Sequence, residues 1–376
     1  LSNEITLGLR GKNGGASNAF NSSGLKSLTV ADGITAIPIG MCDGCERLSS
    51  VALANSITTI AMYAFRNTKA LKEIDLKNVQ TINGYAFQGS GLTALVLPES
   101  VKTVDTRAFE ACTSLVNVTI NAVELTLDNN NTFAGCSSLN TVVTSADSNI
   151  NGLNTGAFGP DKTDYAQAPV ESIEINGTVS NTNFSTLALL KNLTINGKNN
   201  LTAGALPSGF ENLVINGDSW SVGHYQFQGE AHVKHLVVSA NAVSPAVISD
   251  NATTKEAEAA FRSNSNLETA QFTGTTVNLQ AKMFMGCTEL EWLDLSAVDT
   301  LTVGSGCFGD DTNSTYGAST ENPNRFNVNC VIYAKDAAAA QTLRGEGSGL
   351  DNTKGIVLVI NGGSVDTTKT GFDAVY

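Results

Sequence analysis

Residues 92–115, LTALVLPESVKTVDTRAFEACTSL, contain the unit from which the chain is built. The unit opens with the spacing Leu-x-x-Leu-x-Leu from Leu92, continues to an Ala-Phe-x-x-Cys motif that ends at Cys112, and gives way to the next unit at Leu115. The same apolar signature starts at residues 25, 48, 71, 92, 115, 139, 170, 190, 210, 233, 267, 290 and 328, and a fainter unit starts at Ser2. Self-similarity at such a period indicates a stack of small repeats rather than one globular core.

The repeat predicts its own backbone path. Apolar residues at alternate positions lie on one face of a strand, and one strand per unit in a constant direction gives a parallel sheet. The return path contains the apolar pieces 57–60, 79–82 and 101–104, which we expect to be extended or 3₁₀-like. The predicted fold is therefore a right-handed, leucine-rich-repeat-like solenoid, mostly strand and irregular, with one parallel sheet and little helix. At roughly 4.8 Å per strand, the repeats would form a rod about 65 Å long.

A regular phenylalanine and a regular cysteine anchor the register. We expect the phenylalanines to stack from unit to unit, and the cysteines to act as small buried hydrophobes, with a Cys112–Cys136 disulfide as the alternative. Cys42-x-x-Cys45 resembles half of a zinc or redox site, but no partner pair follows at metal spacing, so packing is the preferred interpretation. The predicted structural anchors are Phe65, Phe87, Phe109, Phe133, Phe284, Cys112, Cys136 and Cys287.

Irregular spacing divides the chain. Residues 1–24 form a partial first repeat, residues 25–327 the solenoid, and residues 328–376 a terminal strand-helix-strand cap. Loop inserts are predicted at 159–169, 240–259 and 309–327, and the stretch 255–260 has helical character. Within the cap, we expect strands at 331–333 and 356–360 around a helix at 336–344.

Composition limits the function. The 376 residues carry a net charge of −13 with scattered Lys and Arg, which argues against a nucleic-acid partner. The chain has no apolar run long enough to span a membrane. It begins at Leu1 rather than at Met, which predicts a processed or trimmed N-terminus, and a removed export segment, which could carry a lipid anchor, would explain it.

The motifs resemble those of the BspA-like leucine-rich repeat family. The Leu-Pro-x-Ser-Val piece at 97–101 and the Ala-Phe-x-x-Cys-x-x-Leu piece at 108–115 carry the resemblance. It is strong over 25–145, degraded over 146–266, where short Asn-Gly units replace the cysteine slot, and strong again over 267–310. The resemblance implies an exported bacterial surface protein used in adhesion, and it implies no particular ligand.

Catalytic and metal chemistry is not indicated. On a strand, residues three apart diverge, so His232 and His235 make a poor metal pair, with His224 as the remaining histidine. The run 310–313 is rich in oxygen ligands but lacks the complete calcium loop. We expect no cofactor, no metal and no enzymatic activity.

The outward positions of the strands supply the candidate binding residues, which are Trp292, Asp294, Glu73 and Asp75. Trp292 is the best candidate for a contact hot spot, and covering a cap or loop is its alternative role. The leading hypothesis is an adhesion scaffold that contacts a host or matrix protein as a monomer. The alternatives are a glycan-binding protein, with Trp292, Trp220 or Tyr225 stacking on sugars, and a structural surface-layer component.

Overall fold

The computed structural model describes most of the chain. The described residues are 4–7, 17–127, 131–159, 167–180, 182–197, 205–222, 227, 232–250, 253–256, 259–309, 330–345, 348–350 and 357–360. They fold as two compact units: Leu1–Leu190 with Ile195–Asn200 (unit 1) and Lys191–Thr194 with Leu201–Tyr376 (unit 2).

The repeat strands of unit 1 arise where the sequence alternates apolar and polar residues. They are β1 (Glu4–Leu7), β2 (Ser27–Val30), β4 (Ser50–Ala52), β7 (Ala94–Leu97), β9 (Asn117–Ile120), β11 (Thr141–Thr144) and β13 (Ser172–Ile175). Each pairs in parallel with the strand one coil away, so that Leu95, Val118 and Val142 are in register. These three side chains are buried, because alternate residues point into the coil.

The crossing pieces of unit 1 form a second parallel sheet. Its strands are β3 (Ala36–Ile37), β5 (Thr59–Ile60), β6 (Thr81–Ile82), β8 (Thr103–Val104), β10 (Glu124–Thr126), β12 (Asn149–Asn151) and β14 (Thr178–Ser180). Ile60, Ile82 and Val104 align from coil to coil and are buried. The prediction of extended crossings is confirmed, whereas the described residues contain no 3₁₀-helix.

Turns around the phenylalanine complete each coil. Tyr85, two residues before Phe87, and Gly89, two residues after it, have φ of 60° and 64°, and the corresponding positions of neighbouring coils repeat this pair of left-handed residues. These two left-handed residues turn the chain so that the phenylalanine side chain points inward and its N–H points towards the next coil. The N–H of Phe87 donates to the carbonyl of Ala108 in the next coil at 2.8 Å.

The predicted phenylalanine stack is present in unit 1. The rings of Phe65 and Phe87 are 5.3 Å apart, those of Phe87 and Phe109 5.2 Å, and those of Phe109 and Phe133 5.8 Å. Phe158, in the short helix α1 (Thr155–Phe158), extends the stack at 5.8 Å. Offset-stacked aromatic pairs add to the stability gained from burial alone.

The cysteines hold neighbouring coils together as thiols. The Sγ atoms of Cys112, Cys136 and Cys287 donate to the carbonyls of the phenylalanines one coil earlier, at 3.1–3.3 Å. All seven cysteines are free and buried, so the Cys112–Cys136 disulfide is not formed. Burial raises the pKa of Cys287 to about 12, which keeps this thiol protonated and able to donate.

Unit 2 repeats the same plan. Its repeat strands are β16 (Asn212–Ile215), β18 (His235–Val238), β22 (Thr269–Phe272), β24 (Trp292–Leu295), β26 (Val331–Ala334) and β27 (Val357–Ile360). Its crossing strands are β17 (Ser219–Val222), β19 (Ala242–Pro245), β23 (Thr276–Leu279) and β25 (Thr300–Val303). A further repeat strand, β15, spans Asn192–Ile195. The rings of Phe227, Phe261, Phe284 and Phe308 stack at 5.1–6.1 Å.

The C-terminal segment contains the predicted strand, helix and strand in that order. The predicted helix is α2 (Ala337–Leu343), whose first turn is capped by the Asp336 side chain accepting from the N–H of Ala339. The strand before the helix, β26, and the strand after it, β27, pair with each other in parallel. The helix packs against the crossing strand β25, and its Leu343 is buried.

Two local predictions are wrong. The repeat signature at Leu71 forms no strand over residues 71–76. The first two residues of the stretch 255–260, which was predicted to be helical, instead belong to β21 (Thr253–Glu256), which pairs antiparallel with β20 (Val247–Asp250). Hairpin pairing overrides the helix propensity of so short a segment. Most of the inserts 159–169 and 309–327 lies outside the described residues.

Among the described residues, no helix is long and apolar enough to cross a membrane.

Candidate binding site

The missing strand interrupts the repeat sheet of unit 1. The strands β1, β2 and β4 form one sheet, and a separate sheet begins at β7. Between them lie residues 71–76, which keep the leucine-rich signature but are not paired as a strand. We call this interruption the sheet break.

Few backbone hydrogen bonds connect the sheet break to its neighbours. The N–H of Thr93 donates to the carbonyl of Lys72 at 3.0 Å, as at the start of an ordinary pair of coils. Residues 73–76, all of them described, make no backbone hydrogen bond to β4 or β7. On the other side of β7, the carbonyls of Thr93 and Leu97 accept from the β9 coil. Since main-chain groups alternate along a strand, those of Ala94 and Val96 face the break.

The break opens a groove of about 670 Å³ on the outer surface of the coil. Its volume lies in the range of ligand pockets. The lining residues are Ser49, Ser50, Val51, Glu73, Ile74, Asp75, Leu76, Lys77, Ala94, Val96 and Pro98. Val51 and Ile74 occupy positions that are buried in neighbouring coils but are half-buried here. Val96 is 50% exposed, so apolar surface is accessible along the groove.

Two of the candidate residues lie in this groove. Glu73 and Asp75 are both exposed, and neither forms an ion pair within the described part of the chain. Asp75 accepts from the N–H of Lys77 through Oδ1 at 3.0 Å, which closes a local turn. The ammonium of Lys77 donates to the carbonyl of Leu53 at 3.0 Å rather than to either carboxylate. The groove therefore presents negative charge beside exposed apolar surface.

The other two candidate residues lie on the outer face of the unit 2 sheet. Trp292 and Asp294 are in β24, half-buried, with Thr269 and Gln271 of β22 in register beside them. Gln271 donates through Nε2 to Oδ2 of Asp294 at 2.9 Å. On the opposite side, Trp292 is in register with Val331 of β26, and Asp294 with Tyr333 of the same strand. We call these residues the β24 face.

The structure separates the four candidates into two pairs. Glu73 and Asp75 belong to unit 1, and Trp292 and Asp294 belong to unit 2. Trp220, considered for sugar stacking, is 8% exposed and packs edge-on against Phe261 at 6.4 Å, so it is a core residue. Tyr225, His224 and the oxygen-rich run 310–313 lie outside the described residues.

The sequence interpretation did not include Val96, Val51 or Ile74 among the site residues. A signal for Val96 was present, because it stands at an outward position where neighbouring coils carry Thr119 or other polar residues. No comparable signal existed for Val51 and Ile74, which occupy inward positions of an intact motif.

His232 and His235 are not part of a metal cluster. No group of three potential ligands from His, Cys, Asp and Glu converges anywhere in the described ranges. His235 instead lies beside Thr269, with Nδ1 2.9 Å from its hydroxyl.

The sequence model of one family, described as the BspA type leucine rich repeat region, matches six copies over residues 15–140, 71–186 and 243–333. No curated protein sequence matches the chain significantly. Among solved structures, a leucine-rich repeat protein from Bacteroides ovatus is 14% identical, with 91% of this chain and 86% of that chain covered and a TM-score of 0.34.

Two other solved structures share the repeat type. The leucine-rich repeat protein of T. pallidum is 23% identical, covers 42% of this chain and 72% of its own, and has a TM-score of 0.32. A leucine-rich cell surface protein from Faecalibacterium prausnitzii is 15% identical, covers 93% of this chain and 76% of its own, and has a TM-score of 0.25. The family assignment rests on the matched repeats and not on these superpositions.

Proposed function

Since the chain belongs to the BspA type leucine-rich repeat family, we propose that it is an exported cell-surface scaffold that adheres to a host or matrix protein. Solenoid repeats present extended binding surfaces, and this fold is generally used for binding rather than for catalysis. We place the contact with the protein partner at the groove of the sheet break.

One observation carries this proposal. The groove exposes Val96 and leaves Val51 and Ile74 half-buried, beside two carboxylates that form no ion pair with any described residue. Protein interfaces combine an apolar centre with a polar rim, and a concave site lined in this way is the default binding hypothesis for a structure of this kind.

The test is capture of the chain by immobilised matrix proteins, measured by surface plasmon resonance with two matched variants. Val96→Ser changes a valine in the groove, whereas Val123→Ser changes a valine of similar exposure, 44%, outside it. We expect Val96→Ser to weaken capture about fivefold to tenfold, as loss of roughly 1 kcal/mol of apolar contact requires. Equal effects of the two variants, or no capture of any matrix protein, would contradict the proposal.

A glycan ligand is the second candidate, and the β24 face favours it. Trp292 and Tyr333 are both half-buried and stand on paired strands, and Asp294, two residues after Trp292, is in register with Tyr333. Partly exposed aromatic rings can stack on a sugar, and a carboxylate beside them can accept hydrogen bonds from the sugar's hydroxyl groups. A glycan array probed with the chain and with Trp292→Ala tests this candidate. Binding that the variant loses supports it, and a blank array argues against it.

A further inference from the structure

Two cysteines in the coil from Leu25 to Leu48 lie at the two ends of one tight turn. We propose that Cys42 and Cys45 are an oxidation site, at which a small-molecule disulfide such as oxidised glutathione closes a disulfide bond across this turn. The inference concerns a different part of unit 1 from the groove and does not depend on the adhesion proposed above.

The first argument is the geometry of the turn. The N–H of Cys45 donates to the carbonyl of Cys42 at 3.1 Å, and Gly44 supplies a left-handed residue with φ of 69°. The Cα atoms at the two ends of such a turn are less than about 7 Å apart, and a disulfide requires about 4.4–6.8 Å. The turn therefore brings the two cysteines to bonding range with little backbone movement.

The second argument is the contact between the two side chains. Both cysteines are fully buried as free thiols. Their mutual contact is the largest cause of the pKa shift of each thiol, and it lowers the pKa of Cys45 and raises that of Cys42. Because the two thiols already lie against each other, little side-chain rotation is needed to join them.

The third argument is that the other coils lack the second thiol. In the coils that carry a cysteine in the same slot, a phenylalanine stands three residues before it; these cysteines are Cys112, Cys136 and Cys287. Like them, Cys45 donates to a carbonyl of the preceding coil, that of Phe20, at 2.9 Å. The slot thus has a packing role throughout, and Cys42 adds a reaction partner within the same turn.

A second pair of touching thiols provides an internal comparison. Cys112 and Cys136 lie in neighbouring coils, and each contributes to the pKa shift of the other. Residues 131–136 of that pair's outer coil are all buried. The segment 17–24 beside Cys45 is exposed except for Phe20 and Ser23, which are half-buried. Exposed segments open at lower free energy, so an oxidant should reach the Cys42–Cys45 pair first.

The reaction balances with one molecule of a disulfide, RSSR, as the oxidant. Cys45 gives its proton to water, its thiolate attacks one sulfur of RSSR, and one RS⁻ leaves as the S–S bond breaks. Cys42 then gives its proton to water, its thiolate attacks the Cys45 sulfur of the mixed disulfide, and the second RS⁻ leaves. Two protein thiols are oxidised, and RSSR is reduced to two RSH once each RS⁻ takes up a proton.

The lowered pKa makes Cys45 the first nucleophile. Its Sγ lies 3.4 Å from the hydroxyl oxygen of Ser23. On ionisation, this hydroxyl and the Cys42 thiol remain as donors to the sulfur, in place of the bond that the Cys45 thiol gave to Phe20.

The test is oxidation of the full, reduced and folded chain with oxidised glutathione at mildly alkaline pH. The remaining thiols are then alkylated in denaturant, and tryptic peptides are measured by mass spectrometry. Trypsin releases Cys42 and Cys45 together in peptide 27–47, and Cys112 and Cys136 together in peptide 108–162. We expect peptide 27–47 to lose two hydrogens and escape alkylation at least about tenfold faster than peptide 108–162.

Two serine variants test the order of attack. In Cys42→Ser, the mixed disulfide of Cys45 with glutathione should accumulate, because no second thiol displaces the glutathione. In Cys45→Ser, the mixed disulfide at Cys42 should form at least about tenfold more slowly, because the pKa of Cys42 is raised. Cys112→Ser is the matched control and should leave the oxidation rate of peptide 27–47 unchanged.

Three outcomes would overturn the proposal. They are complete alkylation of both cysteines in peptide 27–47 after oxidation, disulfide formation in peptide 108–162 at the same rate, and equal trapping of glutathione by the two serine variants. The first two are measured on the unmodified sequence, so they decide the proposal even if a serine variant does not fold.

Discussion

Two repeats of nearly the same sequence behave differently. Residues 71–76 read LKEIDL and residues 290–295 read LEWLDL, so both carry the same leucines and the same aspartate. In unit 2 this sequence forms β24, paired on both sides, whereas in unit 1 it forms the sheet break. The motif alone therefore does not determine whether a coil joins the sheet.

The partners of the aspartate differ between the two repeats. Asp294 accepts a hydrogen bond from Gln271 on the adjacent strand. Repeat spacing puts Ala52 and Val96 beside Asp75, and neither side chain can donate to it. Aspartate is unfavourable in strands unless such a cross-strand contact compensates it.

The residues next to the aspartate also differ. Trp292 is a strand former, while Glu73 at the same position is depleted in strands. After the aspartate, Lys77 has φ of 40°, in the left-handed region, whereas Ser296 is at negative φ although it makes the same bond to its aspartate. The coil from Leu71 to Leu92 is also two residues shorter than the coil from Leu48 to Leu71. Together these differences account for the break in unit 1 and the continuous sheet in unit 2.

The largest expected effect is a loss of stability when a stacked phenylalanine is removed. It tests whether the phenylalanine stack of unit 1 remains intact in the coil that contains the sheet break. Phe87→Ala should destabilise the chain by about 3–5 kcal/mol, as should Phe284→Ala in unit 2. Both rings are fully buried and stack on a ring on each side. Urea unfolding of the two variants measures the comparison. A cost for Phe87→Ala below about 1 kcal/mol would show that the break extends into the core.

The next effect concerns the cysteine slot of one coil in unit 2, where an asparagine replaces the cysteine. Asn264 occupies the position that Cys112 holds in its coil, is fully buried, and neither amide atom has a partner among the described residues. We expect Asn264→Cys to stabilise the chain by about 1–2 kcal/mol, because it removes an unsatisfied buried amide and supplies a thiol donor. Thermal unfolding under reducing conditions measures it. The conservative control Asn264→Asp should instead destabilise, and stabilisation by that control would contradict the explanation.

A third variant removes the contact that distinguishes β24. Gln271→Ala eliminates the donor to Asp294, and we expect a loss of about 1 kcal/mol, since a partly exposed hydrogen bond to a charged group contributes that much. Amide exchange of residues 292–295 should become faster. Thr302→Ala, on the crossing strand β25, provides the matched control and should leave exchange at 292–295 unchanged.

The smallest effect comes from closing the break. Glu73→Trp combined with Ala52→Gln gives unit 1 the side chains of the β24 coil, and we expect a gain of about 0.5–1 kcal/mol. Circular dichroism should show added strand. An unchanged strand signal in this double variant would contradict the explanation of the break.

The repeat strands, the phenylalanine stack and the terminal helix were predictable, because each depends on spacing within one unit. The helix α2, for example, follows from an Asp336 cap before a run of alanines. The sheet break was not predictable in this way, since it depends on residues one coil away, such as Ala52 and Gln271. The hairpin of β20 and β21 was missed for the same reason, because pairing between segments decided the structure.

The candidate residues were predictable only as outward positions. The pattern identified Glu73, Asp75, Trp292 and Asp294 as outward, but it did not indicate that the first two line a groove. The groove lies where residues 71–76 are not paired as a strand. Its apolar surface comes from Val96 together with Val51 and Ile74, and the motif assigns the last two to the interior.

Residue-resolved hydrogen exchange of the free chain tests the central claim, that the sheet of unit 1 is interrupted at residues 73–76. The account predicts that the amides of Ile74 and Asp75 exchange at least about tenfold faster than those of Leu293 and Asp294, which are paired in β24. Equal protection of the two repeats would contradict it.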